Sequence, residues 1–325
     1  TPPQYIVDNV KRALQFLTTF AYFYYFKVVF KNTKLNFRLV FFIFSLYILF
    51  LLLLFVYDPI TYVNFKNFIY PLTSKDMGDF LFYLRFDYMF SDPNTAGYFI
   101  TLALFFALVK LKYNLIQKTI IIIVIILTTI SVKSVGVSIG VLIFIIFYVF
   151  LIAKNIVNKA NIRKFLLSGV LLLTIIFLLI SFNIEKEEIT LAYQGYLERM
   201  ELAESNMDSR WQIYSNVINK FYPSILGKGY TLLDEGRFIK PHNDHLRIIY
   251  SYGVITYILV LLLFFKKMFS RDITIIIPAF IAFSINSLID EQKLLALFLI
   301  ILSYIYFEQK TELNKEVLKP VFDSC

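Results

Sequence analysis

The chain of 325 residues has little charge and almost no cysteine or histidine. Only 17% of its residues are charged and 58% are hydrophobic, whereas a water-soluble domain carries roughly a quarter charged residues. The single cysteine, Cys325, excludes a disulfide framework. The shortage of charge excludes a soluble globular protein and indicates an integral membrane protein.

Nine runs with no charge, or with a single interrupting lysine, have about the length of a membrane-spanning helix. A bilayer core of about 30 Å needs about 20 helical residues, and fewer where flanking Lys, Arg or Tyr side chains reach the headgroups. The runs cover residues 13–30, 39–57, 93–109, 119–132, 134–153, 165–184, 248–265, 273–289 and 294–307. We therefore predict an all-α polytopic membrane protein with about nine transmembrane helices, organised as one domain of residues 1–325.

Basic residues gather in alternate loops, a pattern that fixes orientation because such loops stay on the cytoplasmic side. The residues are Lys31, Lys34, Arg38, Lys110, Lys112, Lys118, Lys154, Lys159, Arg163, Lys164, Lys266, Lys267 and Arg271. The tail of residues 308–325 is predicted to be cytoplasmic too, and the loops of residues 58–92 and 185–247 then face outside. Residue 1 also falls outside and is not a methionine, so we expect at least one further helix before it.

The net charge of +9 is accounted for by orientation and by contact with anionic lipids. No nucleic-acid partner is therefore expected. A transporter usually carries ionisable residues inside its spans, whereas here the spans hold almost none and the polar residues gather in the loop of residues 185–247. We expect this large external loop to carry chemistry or recognition at the outer face of the membrane.

Two features give the large loop internal order. Ser209 and Gln212 fit a capping box, and after them Trp211, Tyr214, Val217, Ile218 and Phe221 recur at helical spacing until Pro223. We expect an amphipathic helix there that lies along the bilayer or roofs a cavity. Gly227 and Gly229 follow and permit a sharp turn close to another backbone or to a ligand.

Both histidines, His242 and His245, stand directly before the run of residues 248–265. Free N–H groups at a helix start favour an anion such as phosphate, and a neutral imidazole can act as a base or orient a hydroxyl near pH 7. Alternatively, Asn243 or Asp244 simply caps the helix while the histidines lie at the interface. A metal site is the weakest interpretation, because no further ligand cluster completes the coordination.

Lys133 stands between uncharged runs of 14 and 20 residues, which are short for two crossings and an exposed turn. We expect it below the headgroup level, where it either pairs with an anion such as a bound phosphate or extends outward to the surface. Arg85, in the other external loop, has the simpler alternative of pairing with Asp87 or Asp92. Asp92 before Pro93 is typical of a helix cap.

Four groups of residues, in order along the chain, resemble one family. Arg85 with Pro93, Asn94 and Ala96 comes first, and Ser131 with Lys133 second. Arg210 with Trp211, ahead of Gly227 and Gly229, is the third; His242 with Gly253, eleven residues later, is the fourth. Together they resemble the O-antigen ligase and O-antigen or capsular repeat-unit polymerase family (Wzy-type). Lys133 replaces the usual arginine, and Ile255 or Thr256 stands where a second glycine often follows Gly253.

The resemblance implies a cavity open to the outer leaflet of the bacterial cytoplasmic (inner) membrane, in a multi-pass protein. There an undecaprenyl-pyrophosphate-linked glycan would be transferred to an acceptor sugar, without a metal or other cofactor. His242 and Arg210 would be catalytic, and Lys133, Arg85 and Arg210 would bind phosphate. The supporting residues would be Asn94, Trp211, Gly227, Gly229, Asn243, His245, Arg247 and Gly253. Further partners would be the lipid bilayer, a chain-length regulator and a flippase.

Three functions remain open at this point. The first is a polymerase that joins lipid-linked repeat units for a capsule or an O-antigen. The second is a ligase of the same fold that moves finished glycan to a terminal acceptor. The third, from another class, is a transporter of lipid-linked oligosaccharides, although the nearly uncharged spans argue against it.

Overall fold

The structure is a computed structural model that is mostly helical. It describes residues 3–32, 36–74, 84–155, 212–227, 229, 233–234, 237–238, 243–268, 275, 291 and 293–305. The predicted span at 165–184, all but residue 275 of the span at 273–289, most of the loop 185–247 and the tail 308–325 lie outside the described residues. The prediction of nine spans therefore stays a prediction, whereas the helical character is confirmed.

The elements fall into two stretches of the chain. The first holds α1 (Pro3–Asn32), α2 (Phe37–Tyr57), α3 (Pro59–Ile69), a 3-10 turn (Pro71–Thr73), α4 (Pro93–Lys110), α5 (Leu115–Val132) and α6 (Val135–Asn155). The second holds α7 (residues 212–220), β1 (Leu233–Asp234), β2 (Arg237–Phe238), α8 (Asp244–Arg247), a π-helical turn (Ile248–Tyr252), α9 (Val254–Met268) and α10 (Lys293–Ile305). The two short strands pair antiparallel, with Leu233 opposite Phe238.

Three described helices, α2, α4 and α5, are long and apolar enough to cross a membrane, with 21, 18 and 18 residues. At 1.5 Å per residue, 18 residues extend about 27 Å, close to the thickness of a bilayer core. Large apolar side chains are exposed on the outside of α2 and α6, among them Phe50, Val56, Leu142 and Ile146. Both observations support a protein that lies in a membrane.

The core of the first stretch is built around α4, which packs against α2, α5 and α6. Phe105 of α4 stacks on Phe144 of α6, with ring centroids 3.7 Å apart. Gly97 lets the helices approach, because a Cβ built there would lie 2.7 Å from Val137 Cγ2 and 3.0 Å from Val132 Cγ1. The start of α4 is thereby pressed against the turn between α5 and α6.

The two ends of α5 differ in their neighbours. At its start, Arg38 Nη2 donates to Gln117 Oε1 (2.8 Å) and the Tyr113 hydroxyl donates to the Arg38 carbonyl (2.8 Å). Two loops that were predicted on one side of the membrane therefore meet. The other end of α5 contacts residues 84–92, which were predicted on the opposite side. The loops therefore lie at opposite ends of α5, whereas their placement on opposite sides of a membrane stays a prediction.

The structure differs from the sequence prediction in two places. The loop of residues 58–92 contains helix α3, which starts at Pro59 because the Asp58 carboxylate accepts a hydrogen bond from Thr61 N (3.0 Å). The run of residues 248–265 is not one continuous α-helix. Gly253, with φ of +97°, separates the π-helical turn from α9, and glycine tolerates that backbone conformation without a steric penalty.

Candidate functional site

The residues 84–92, hereafter the clamp segment, hold Arg85 against the end of α5. The guanidinium donates from Nε to the Val132 carbonyl (2.7 Å) and from Nη2 to Asn94 Oδ1 (2.8 Å), and Phe86 N donates to the Ser131 carbonyl (3.0 Å). The last carbonyls of a helix lack intrahelical donors and carry a partial negative charge. Arg85, which is buried, therefore caps α5 with a positive charge.

Lys133 occupies the turn that Arg85 holds. It is the C-cap of α5, in the left-handed conformation with φ of 50°, and its side chain is half-buried. Only Ser134 separates it from α6, and the Ser134 hydroxyl accepts from Val137 N (3.4 Å) at the start of that helix. The expected short turn is confirmed, and Lys133 follows directly after the residue that Arg85 binds.

The entrance of α4 completes this group. Asp92 accepts hydrogen bonds from Asn94 N (3.1 Å), Asn94 Nδ2 (3.0 Å), Thr95 N (3.3 Å) and Thr95 Oγ1 (3.0 Å). The cap predicted from Asp92 and Pro93 is therefore confirmed. The Asn94 amide donates to Asp92 while its oxygen accepts from Arg85, so the orientation of Asn94 is set from both sides. Arg85, Asn94 and Lys133 are brought to one place.

A buried ion pair that the sequence did not reveal lies beside Arg85. Lys66 Nζ is 2.6 Å from Asp87 Oδ2, with the two side chains 3% and 0% exposed. The Tyr62 hydroxyl donates to Asp87 Oδ1 (3.1 Å) and accepts from Tyr88 N (3.0 Å). Burial, and then the charge of Asp87, raise the pKa of Tyr62 well above its ordinary value. Tyr62 therefore stays protonated and able to donate.

The start of α10 is attached to the same segment. Lys293 Nζ donates to the Met89 carbonyl (3.0 Å) and lies 5.1 Å from the centre of the Phe90 ring. The Glu291 carbonyl accepts from the first amides of α10. Burial is the main cause that raises the pKa of the Glu291 carboxyl. The charge of Lys293 opposes this shift, and the charge of Asp92 adds to it. Lys293 and Met89 are 204 residues apart, so no local pattern in the sequence identifies this contact.

A close backbone contact, hereafter the glycine clasp, joins residues 224–227 and 229 to residues 251–255. Val254 N donates to the Ser224 carbonyl (3.0 Å) and Gly229 N donates to the Ser251 carbonyl (2.9 Å). A Cβ built on Gly227 would lie 2.7 Å from Gly253 N, and one built on Gly253 would lie 2.6 Å from Gly227 N. The predicted glycine turn close to another backbone is confirmed.

The short helix α8 lies just before the clasp. Asn243 is its N-cap, since its side chain accepts from Leu246 N (3.1 Å), so the capping interpretation of Asn243 is confirmed. The His245 ring meets Tyr257 of α9 edge-on, with centroids 5.9 Å apart. Asp244 and Arg247 are each 0% exposed, which places two charged residues in the interior of this part of the protein.

The helix α7 supports α8 through a small apolar cluster. Val217 and Phe221 are buried against Tyr250, and their spacing of four residues matches the predicted amphipathic helix. Ile218 was expected on the same face but is 53% exposed. The partly buried members of the cluster are Ile213, Leu246 and Ile249. The buried face therefore runs through Val217 and Phe221 and leaves Ile218 outside.

Arg210, Trp211 and His242 lie outside the described residues, so their predicted roles stay predictions. Among the residues that the structure describes, no group of three or more His, Cys, Asp or Glu side chains can hold a metal ion. The chain matches no protein-family model, no curated protein and no solved structure.

Proposed function

We propose that the chain is a membrane glycosyltransferase that polymerises undecaprenyl-pyrophosphate-linked oligosaccharide repeat units at the outer face of the bacterial cytoplasmic membrane. The supporting observation is the pairing of the four groups of residues that carry the family resemblance. Arg85 binds both Asn94 and the turn that carries Lys133, and Gly227 contacts Gly253. Residues far apart in the sequence therefore form two compact units, as expected if they build one site.

Lys133 is the proposed phosphate-binding residue of the first unit. The leaving group of the reaction is a lipid pyrophosphate, and a fixed cation stabilises the negative charge that develops on it. Arg85 contributes its charge without touching the phosphate, because its guanidinium is bonded to Val132 and Asn94 and the residue is 9% exposed. A lysine acts as a compact point charge and lacks the bidentate fork of arginine.

His242 and Arg210 are the proposed catalytic residues. His242 takes the proton of the acceptor hydroxyl as its oxygen attacks the anomeric carbon of the donor. The new glycosidic bond forms while the bond to the pyrophosphate oxygen breaks, and Arg210 neutralises the departing pyrophosphate. The glycine clasp supports this proposal because it fixes the backbone shortly after His242. The reaction proceeds without a metal.

The proposal is tested with purified protein in liposomes supplied with an undecaprenyl-pyrophosphate-linked repeat unit. The wild type should give a ladder of longer glycans, and EDTA should leave the ladder unchanged. His242→Ala, Arg210→Ala and Lys133→Ala should each abolish the ladder, whereas Lys112→Ala, an exposed lysine outside the proposed site, should retain it. A loss with EDTA that a metal ion reverses contradicts the metal-independent mechanism.

A deletion strain separates the polymerase from the related ligase. Loss of a polymerase should leave single lipid-linked repeat units, because no units are joined. Accumulation of long lipid-linked polymer would overturn the polymerase proposal in favour of a ligase. Movement of substrate across vesicles without a new glycosidic bond would overturn both.

A further inference from the structure

The clamp segment is bonded to four different helices. Asp87 binds Lys66 of α3, Arg85 binds the end of α5 and Asn94 of α4, and the Met89 carbonyl accepts from Lys293 of α10. Its position therefore depends on all four helices together. Any shift of the segment along its own direction would move Arg85 away from Val132 and with it the support of the Lys133 turn.

The backbone of the segment does not hold this shape by itself. Leu84 and Tyr88 have φ of 37° and 50°, in the left-handed region that side chains other than glycine rarely adopt. Such conformations cost of order 1–3 kcal/mol each and persist only where the surroundings impose them. Tyr88 follows Asp87 directly, and its amide is held by Tyr62. The contacts around Asp87 therefore impose the unfavourable backbone of Tyr88.

The Lys66–Asp87 pair is better suited to specifying a position than to adding stability. Removing two charges from water offsets much of their attraction, and apolar residues of similar volume often give equal or greater stability. A buried ion pair differs from an apolar contact in one respect: each charge has a single acceptable place. If the clamp segment slipped by one residue, Lys66 would face Phe86 or Tyr88, and a buried charge would lose its counterion.

We propose that the Lys66–Asp87 pair is a positioning pair, which holds the clamp segment in one register and thereby places Arg85 and the Lys133 turn. Lys66 and Asp87 act through Arg85 and do not themselves touch substrate. The consequence for glycosyl transfer rests on the proposed function, whereas the effect on register does not depend on it.

The register is measured with two spin labels, at Ser91→Cys in the clamp segment and Val135→Cys at the start of α6, in a Cys325→Ser background. Both sites are exposed. The test variant is Lys66→Met with Asp87→Leu, an apolar replacement of the pair. Lys66→Arg preserves the charge and serves as the conservative rescue. The matched control is Asp58→Asn, because Asp58 is an exposed helix cap that asparagine can replace.

The apolar double variant should keep an apparent melting temperature near that of the wild type, yet broaden the label spacing or shift it by about 3.3 Å, one residue of extended chain. Its rate of glycan transfer should fall about a hundredfold, as expected for a displaced catalytic group. Lys66→Arg and Asp58→Asn should retain the wild-type spacing and rate. If the double variant does not fold, Asp87→Asn, which removes the charge with little change of shape, should show the same change of spacing.

Wild-type label spacing in the folded double variant overturns the proposal, whatever the activity of that variant. If the double variant does not fold, wild-type spacing in a folded Asp87→Asn variant overturns it. If the spacing changes but the wild-type protein transfers no glycan, the proposed function fails and the positioning pair stands. If the spacing changes and transfer retains its wild-type rate, the pair sets the register without placing the site, and the link to Lys133 is overturned.

Discussion

The clamp segment and the glycine clasp join distant parts of the chain by opposite means. The clamp segment is held through charged side chains: Arg85 and Asp87 each bind a neighbouring helix, and Lys293 of α10 donates to the Met89 carbonyl of the segment. The clasp uses the absence of side chains, since Gly227 and Gly253 bring two backbones into direct contact. Both regions contain residues of the proposed site, which would then be held together by two kinds of contact.

The difference predicts different responses to substitution. Loss of one hydrogen bond to a charged group weakens a structure by about 1.5–3 kcal/mol, so the clamp segment should lose stability in steps. In the clasp, any side chain would overlap the facing backbone, and backbone cannot turn aside as a flexible side chain can. A single substitution at either glycine should therefore disrupt the whole clasp.

The largest effect is expected for Gly253→Ala. The new Cβ would lie 2.6 Å from Gly227 N, and alanine disfavours the φ of +97° found there. The two backbones would have to separate, with loss of the hydrogen bond from Val254 N to Ser224. We expect a large fall in the apparent melting temperature of the purified protein in detergent, of the kind that a loss of more than about 3 kcal/mol produces.

Gly140→Ala in α6 is the matched control. A Cβ at Gly140 meets nothing within 4 Å, and alanine is favoured over glycine inside a helix by about 0.5–1 kcal/mol. This variant should match or slightly exceed the melting temperature of the wild type. Equal melting temperatures for Gly253→Ala and Gly140→Ala would contradict the close contact in the clasp.

The sequence predicts the parts of this comparison that depend on local chemistry. Long uncharged runs predict α2, α4 and α6 because a bilayer selects apolar helices. The cap at Asp92 follows from an acidic residue before proline, and the glycine turn follows from two closely spaced glycines. The same local rules explain the start of α5 at Leu115, ahead of Lys118, where Asn114 and Gln117 form a capping box.

The remainder depends on contacts between distant residues. Lys66 and Asp87 are 21 residues apart, and neither carries a local pattern that identifies its partner. The sequence alone allows Arg85 to pair with Asp87. Its acceptor is instead the Val132 carbonyl at the end of α5, which only the fold brings close to it. The hydropathy of residues 248–265 does not predict the break in the helix at Gly253, because hydropathy depends on composition and not on backbone conformation. Ile218 fits the helical stripe but is exposed, because the cluster around Tyr250 covers the face of α7 that holds Val217 and Phe221.

An intermediate effect is expected at Arg85, where the clamp segment meets Asn94. Arg85→Ala removes hydrogen bonds to Val132 and to Asn94 and should lower stability by about 1.5–3 kcal/mol. Asn94→Ala should lower it less, and the double variant should lose less than the sum, because the two residues share one bond. Apparent melting temperatures of the three variants measure this coupling. Strict additivity would show that the Arg85–Asn94 bond contributes nothing.

The smallest effect is expected at Glu291, beside the attachment of α10 to the clamp segment. Burial and the charge of Asp92 raise the pKa of this carboxyl above its ordinary 4.5, so the folded protein binds the proton more tightly than the unfolded chain does. The stabilisation that protonation provides is full below pH 4.5 and is lost as pH rises through the raised pKa.

Glu291→Gln carries no ionisable group, so it should melt above the wild type at neutral pH, and this advantage should shrink as pH falls towards 4.5. Asp58→Asn provides a contrast of opposite sign. Hydrogen bonds from Thr61 lower the pKa of Asp58, so the wild-type Asp58 should contribute stability near neutral pH and lose it in acid. If both differences changed in the same direction with pH, Glu291 would not be the strained carboxylate that its burial beside Asp92 indicates.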